Sequence, residues 1–413
     1  MEALFRKVLS RVRPTEVQVH EVDSVVKRLN TALHVAGLQA ECMVGGSFAK
    51  GTFLKGDHDV DLFVRFDLAK YIDQPISNFL EPVLGSLFEG VERIHGSRDY
   101  FQFRNDFFFE VIPVLRIADY REAKNVTDMS PFHVAYAKKH IDKKPSLADE
   151  IRLLKVFCKA ANVYGAESFV QGFSGHVIDL LIIHAGSFKK LVEEASEWGD
   201  KVVIDLENHH KEPLKVLNPS KLVSPLIIVD PVQPDRNAAA SVSIKSFDLF
   251  KLACRNFLIN PSESFFTVSQ IDWEGVKLKY PDEWFLGLKI APLDGKKDVV
   301  GTKLLKVFDH IKANLEEHDF KLLEDGFQFD EQASLMYFVI KQELLSEKLV
   351  HQGPPLHQKD DVQKFKGKHK ETFEEKGRVH AHVKRKHIVP KTLLEHLIMN
   401  KYVVERVKKV EWL

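Results

Sequence analysis

Gly45-Gly46-Ser47-Phe48-Ala49-Lys50-Gly51-Thr52, followed by Asp57-His58-Asp59-Val60-Asp61-Leu62-Phe63-Val64, joins a turn and an acidic strand in one supersecondary unit. Residues 40–44 ahead of it read as a short apolar strand. Gly45 and Gly46 let the backbone turn tightly and approach a ligand closely, and Ser47 opens a short helix whose free N–H groups suit an anionic phosphate. After the Lys55-Gly56-Asp57 turn, residues 59–66 alternate as a strand does. Asp59, Asp61 and Phe63 then share one face, and Val60, Leu62 and Val64 the other. Carboxylates this close repel unless a cation neutralises them, and oxygen-only ligands suit a hard divalent ion such as Mg2+. Alone, a Gly-Gly-Ser is a turn before a helix and an Asp-x-Asp an exposed strand face. Joined in this order they point to nucleotidyl transfer.

Such chemistry asks for a third acid. Residues 100–103, a turn at Arg104-Asn105-Asp106, and residues 107–112 read as a hairpin, because aromatic and β-branched runs flank turn residues. Glu110 is the one acid among Phe107, Phe108, Phe109, Val111 and Ile112. A buried, unpaired carboxylate costs several kcal/mol, so Glu110 is expected at the metal site; the plain alternative puts it on a solvent-facing edge strand.

Composition bounds the rest. A chain of 413 residues has room for two or three domains with their own cores. Residues 1–13 mix Leu4, Phe5, Val8 and Leu9 with Arg6, Lys7, Arg11 and Arg13, which gives neither a signal-peptide core nor a membrane span. Cys42, Cys158 and Cys254 lie far apart in apolar patterns, which reads as buried thiols in a cytoplasmic protein. Net charge is zero, yet Lys364, Lys366, Lys368, Lys370, Lys376, Arg378, Lys384, Arg385, Lys386 and Lys391 crowd one segment. That segment is either a footprint for a phosphate backbone, with Lys384, Arg385 and Lys386 as candidate RNA contacts, or a solvated charged surface.

Along the chain, an opening helix is predicted between Pro14 and Gly37, with Val19, Val22, Val26, Leu29 and Leu33 on one side. From residue 146 to about 260 the pattern is mainly helical, at 146–163, 174–184, 187–198 and 246–258, each helix starting at a serine. Short strands at 202–205 and 226–229 interrupt it. Beyond Pro261, a strand at 284–290, a helix at 300–317 and strands at 320–329 and 335–344 suggest a ferredoxin-like or RNA-recognition-like module. A terminal helix starts at Pro390.

At the Gly-Ser and Asp-x-Asp residues the chain resembles the nucleotidyltransferase superfamily that includes the poly(A) polymerases, and within it the archaeal-type, class I, CCA-adding enzymes. Similar segments continue through Ser130-Pro131-Phe132-His133-Val134, Arg152-Leu153-Leu154-Lys155, Val163-Tyr164-Gly165-Ala166-Glu167, Gly172-Phe173-Ser174-Gly175, Asp230-Pro231-Val232 and Asp235-Arg236-Asn237-Ala238-Ala239.

The resemblance implies an α+β fold in four parts: a polymerase β-like catalytic domain at 1–142, a mainly helical central domain at 143–260, a ferredoxin- or RRM-like α+β domain at 261–348, and a basic helical tail at 349–413. It also implies that Asp59, Asp61 and Glu110 hold two Mg2+ ions, with Glu110 standing where the family usually has Asp. Gly46, Ser47, Lys50, His133, Lys155, Tyr164 and Arg236 become nucleotide contacts, Arg236 helping to read the incoming base. Without it, Lys155 reads as a solvated flank of its helix, Arg236 as a structural side chain, Tyr164 as packing and His133 as a surface or capping histidine. The implied activity restores the CCA end of tRNA from CTP and ATP without a template, releasing pyrophosphate. Its partners are the tRNA acceptor stem and 3′ end, with a homodimer allowed and no membrane. The rivals are a polymerase adding A or U tails, a 2′-5′ oligoadenylate-type enzyme, and an inactive RNA-binding protein.

Overall fold

The structure is a computed structural model. It describes residues 1–413 except 15, 16, 58 and 106 and the side chains of 17–20, so the expectations naming Val19, His58 and Asp106 lie outside the described residues. The chain forms two compact units, Met1–Val268 and Ser269–Leu413.

In the first unit, strands β1 (Ala40–Val44), β2 (Asp59–Asp67), β3 (Glu92–Ile94), β4 (Tyr100–Arg104) and β5 (Phe108–Arg116) line up in the order β1-β2-β5-β4-β3. β2 and β5 run parallel, and the other neighbours are antiparallel. Val60, Leu62, Val64 and Phe66 of β2 are fully buried in one cluster with Leu29 and Leu33 of the helix Val17–Val35 and Leu80 and Leu84 of the helix Ile76–Leu87. Each such side chain contributes about 2 kcal/mol on burial. Two like charges some 5 Å apart near a protein surface repel by about 3 kcal/mol, so the apolar face of β2 holds the strand in place despite the acids on its other face. Glu110 sits on β5, in the middle of the sheet, which removes the edge-strand alternative.

A helix the sequence reading did not foresee, Glu2–Val12, precedes Val17–Val35; its Phe5, Val8 and Leu9 enter the central helical core. That core is built by the helices Leu147–Ala160, Gly175–Ala185, Phe188–Ser196 and Ile244–Ile259. Two expected caps differ. Ser146 makes no side-chain cap bond, and the last of these helices is capped by Ser243, whose hydroxyl accepts from the Ser246 amide, not by Ser246. Ser246 is buried and donates to the Val170 carbonyl instead. Strands Val202–Asp205 and Leu226–Val229 pair in parallel, and the three cysteines are buried free thiols.

The second unit carries a four-stranded antiparallel sheet of Lys409–Trp412, Trp284–Ala291, Ser334–Ile340 and Leu322–Gln328, in that order, with the helix Lys297–Glu317 sharing its core. The chain thus returns to this sheet at its last strand. In between, the basic segment is not helical throughout: Lys348–Pro355, Arg378–Lys384 and Thr372–Glu375 form a second, three-stranded sheet. No helix among the described residues is long and apolar enough to cross a membrane.

Candidate active site

Asp61 and Glu110 are register partners on the parallel strands β2 and β5, which sets their backbones one strand spacing apart, about 4.8 Å. Across the next pair, Gln102 of β4 faces Glu110 and donates from Nε2 to its Oε1 at 2.5 Å. Asp59 starts the strand and is exposed. Burial, then repulsion from Glu110, raise the Asp61 carboxyl to about 6; Lys50 opposes the shift and Asp59 adds to it. The acids therefore sense one another, with Lys50 and Lys155 as the cations that oppose the shift. Such a group of acids fits a divalent cation held by oxygen ligands. Among the described residues, however, the three do not form a cluster with ligand atoms all within 4.8 Å; the one such cluster is His133, His176 and Asp230.

The turn lies directly against this face. Gly45 donates its N–H to the Asp61 carbonyl at 2.7 Å, and Gly46, at φ +54, starts the short helix Gly46–Lys50 that carries Ser47. A Cβ on Gly46 would overlap the Asp61 Oδ2 atom. Lys50 pairs with Asp179, which is fully buried on the helix Gly175–Ala185.

Lys155 projects from the helix Leu147–Ala160 and donates to the Thr52 carbonyl at 3.0 Å. Arg152, one turn earlier, donates to the carbonyls of Gly51 and Phe53, so this helix clamps the segment leaving the turn through successive carbonyls. Burial lowers the Lys155 ammonium to about 8, with Asp179 opposing. Tyr164 lies beside the same group: burial first, then Asp57 and Asp179, push its hydroxyl up, and Lys159 sits 5.3 Å over its ring.

His133 and Arg236 also meet, though apart in sequence. Both bond the buried carboxylate of Asp230, at 2.9 and 2.5 Å. The structure thus gathers the expected residues into an acidic strand pair, a lysine-lined turn, and a His–Asp–Arg hub.

Three family models match: a nucleotidyltransferase domain over residues 24–110, the second domain of tRNA nucleotidyltransferase over 149–267, and the C-terminal domain of CCA-adding enzyme over 291–410. The CCA-adding enzyme of Nanoarchaeum equitans is 32% identical over 382 residues, spanning 91% of this chain and 91% of that protein. The chain belongs to the CCA-adding enzymes. It is of the archaeal type, for the enzyme of Methanosarcina barkeri is 30% identical over 425 residues, 97% of this chain and 90% of that one. Among solved structures, Cid1, described by its RNA terminal uridylyl transferase activity, superposes with a TM-score of 0.53 at 12% identity over 65% of this chain and 97% of its own. That likeness shows the nucleotidyltransferase fold alone.

For this member of the CCA-adding enzymes the basic segment divides into engaged and open cations. Arg385 is engaged: its guanidinium bonds Asp319 at 2.9 Å and the carbonyls of Ser346 and His318, and only 10% of the side chain is exposed. These bonds within the chain give it an anchoring role. Lys348, Lys366 and Lys376 pair with Glu371, Glu374 and Glu375. Among the described residues Lys368, Lys370, Lys384 and Lys386 have no acidic partner, and Lys384 and Lys386 are exposed.

Asp179 and Asp230 were not singled out as site residues from sequence. Asp179 is the one acid in the run Val177, Ile178, Leu180, Leu181, Ile182, the pattern that flagged Glu110. The same reasoning about a buried carboxylate reaches it. His176 carried no such signal.

Proposed function

We propose that this chain adds the terminal C, C and A to tRNA from CTP and ATP, with Mg2+, releasing pyrophosphate. The observation that carries this reading is the register pairing of Asp61 with Glu110 beside the Gly46–Lys50 turn, in a chain that spans nine-tenths of a CCA-adding relative. The nucleotidyltransferase family generally uses a divalent metal, and Asp59, Asp61 and Glu110 are the residues proposed to hold it. When bound, such ions lower the pKa of the attacking hydroxyl and stabilise charge on the leaving oxygen.

The chain's own residues do the rest. Gln102 orients Glu110, and Gly46 leaves Asp61 its place. Lys50 and Lys155, held by Asp179 and the Thr52 carbonyl, supply positive charge for the triphosphate, with Ser47 and Tyr164 as further contacts. Positioning of this kind lets an in-line displacement proceed with little reorganisation. His133 and Arg236 are proposed to meet the rest of the nucleotide. The division into parts at 142, 260 and 348 and a cytoplasmic setting belong to the same proposal.

Incubating tRNA that lacks its last three residues with each nucleoside triphosphate alone and with CTP plus ATP, then sequencing the ends, tests it. Two C residues from CTP alone and a complete CCA from the mixture are expected. Homopolymer tails of A or U would instead favour a tailing polymerase.

Lys384 and Lys386 are proposed to contact the tRNA backbone. Changing both to Ala is expected to weaken tRNA binding and to reduce the slope of log affinity against log salt by about two, close to one for each phosphate no longer neutralised. Arg385→Ala should act differently, lowering the melting temperature first. A slope unmoved in the double variant would return Lys384 and Lys386 to plain solvated surface.

A further inference from the structure

Asp230 directly follows the strand Leu226–Val229 and Arg236 lies six residues on, after a loop that closes on itself through Asp230 N–H to the Arg236 carbonyl (3.0 Å) and Arg236 N–H to the Gln233 carbonyl (3.0 Å). The Asp230 carboxylate has no solvent exposure. Its Oδ1 accepts from the Val232 amide at 3.0 Å, which fixes the plane of the group. Its Oδ2 then takes His133 Nε2 at 2.9 Å from the helix Ser130–Lys143 and Arg236 Nη1 at 2.5 Å, with His176 Nε2 at 3.5 Å from the helix Gly175–Ala185. Burial alone would raise this acid; the hydrogen bond from His133 and the nearby His176 imidazole outweigh that and hold it well below the carboxylate range.

The cluster has the ligand set of a transition-metal site, two imidazoles and a carboxylate with atoms all within 4.8 Å. Arg236 argues against that use. Its guanidinium already occupies the shared oxygen, and a divalent ion bound there would sit beside a fixed positive charge that repels it. The pairing of Arg236 and His133 with the one carboxylate fits a hydrogen-bonding hub instead.

The hub leaves specific donors open. Arg236 uses only Nη1; its Nε and Nη2 make no hydrogen bond among the described residues, and 41% of the side chain is exposed. His133 Nε2 lies 2.9 Å from the carboxylate and 3.3 Å from Arg236 Nη1, so the three groups meet at one point. The His176 ring backs the His133 ring at 4.3 Å.

We propose that Asp230 is a positioning residue for nucleotide recognition: from one buried carboxylate it locks His133 and Arg236 into a single rigid unit, backed by His176, so that Arg236 presents Nε and Nη2 together to the incoming nucleotide. This rests on the reading that Arg236 contacts the nucleotide. A side chain with four rotatable bonds loses that presentation when its anchor goes, and the loss falls on substrate binding more than on the chemical step.

Steady-state kinetics on full-length Asp230→Asn, Arg236→Ala and the double variant, with tRNA ending in C-C or lacking CCA, tests the assignment. Asp230→Asn should raise KM for both CTP and ATP about tenfold with kcat within about threefold, the size of one charge-assisted bond. The double variant should be clearly less impaired than the product of the two single effects, because Asp230 acts mainly through Arg236. Effects that multiply, a fall in kcat at unchanged KM, or a silent Asp230→Asn beside an impaired Arg236→Ala would each overturn the proposal while leaving Arg236 as a contact. A silent Arg236→Ala would overturn the reading beneath it as well. Binding of Co2+ or Zn2+ that His176→Ala removes would replace the hub with a metal centre. Should Asp230→Asn fail to fold, His176→Phe keeps the buried acid and the ring; a KM rise of about threefold at constant kcat is expected, and an unchanged KM overturns the assignment.

Discussion

Asp61→Asn abolishes nucleotide addition, lowering kcat by a factor of about 1,000 or more, ~4 kcal/mol of transition-state stabilisation, and leaves tRNA affinity within about twofold. The exchange keeps the side chain's size and removes only its charge. Asp61 is the acid that faces Glu110 in register and packs against Gly46, whereas the open lysines lie in the other compact unit of the chain. Stability should move the opposite way. The Asp61 carboxyl is raised to about 6 by burial and by Glu110, above its unfolded value of about 3.9. An acid with a raised folded pKa favours the fold when protonated, so its contribution is present below about pH 4 and lost as pH rises through about 6. The amide cannot ionise. Without added metal, Asp61→Asn should melt above the parent at pH 8, and the two curves should converge towards pH 4. Retained turnover, or tRNA binding lost in step with activity, would remove the carboxylates from the chemistry.

Much of this site was legible in the sequence because it depends on local periodicity. Alternation along 59–66 put both aspartates on one face, and the structure keeps that face while burying Val60, Leu62, Val64 and Phe66 on the other. The lone acid in the run around Glu110 was legible for the same reason. What was not legible depends on non-local packing. Arg385 stands in a run of basic residues, and only the return of the chain past Asp319 and Ser346 turns it inward. Ser146 makes no cap bond from its helical backbone conformation, φ −59 and ψ −23, and Ser246 is drawn inward to the Val170 carbonyl of a distant segment. His133, His176 and Asp230 sit on three segments, and no spacing rule joins them.

Gly46→Ala is the second substitution expected to have a large effect, and it separates folding from function. The residue has φ +54, a left-handed conformation that costs a non-glycine residue about 1 kcal/mol, so the fold should survive with a melting temperature lowered by only a few degrees. The larger consequence comes from the added methyl, which would overlap the Asp61 Oδ2 atom. The backbone on both sides is held, by the Gly45 N–H bond to the Asp61 carbonyl and by the clamp of Arg152 and Lys155 on residues 51–53. The carboxylate is the part free to move, and rotating it away spoils the geometry it shares with Glu110. A shift of about 1 Å at such a position costs on the order of 100-fold in rate. Gly46→Ala should therefore lose about that much kcat for both CTP and ATP, and raising Mg2+ should recover part of it. Gly51→Ala, at φ +65 with open space around its Cβ position, pays the same conformational cost with no overlap and should keep most of its rate. Equal losses in the two variants would mean that backbone conformation, and not the seat of Asp61, is what glycine supplies at position 46.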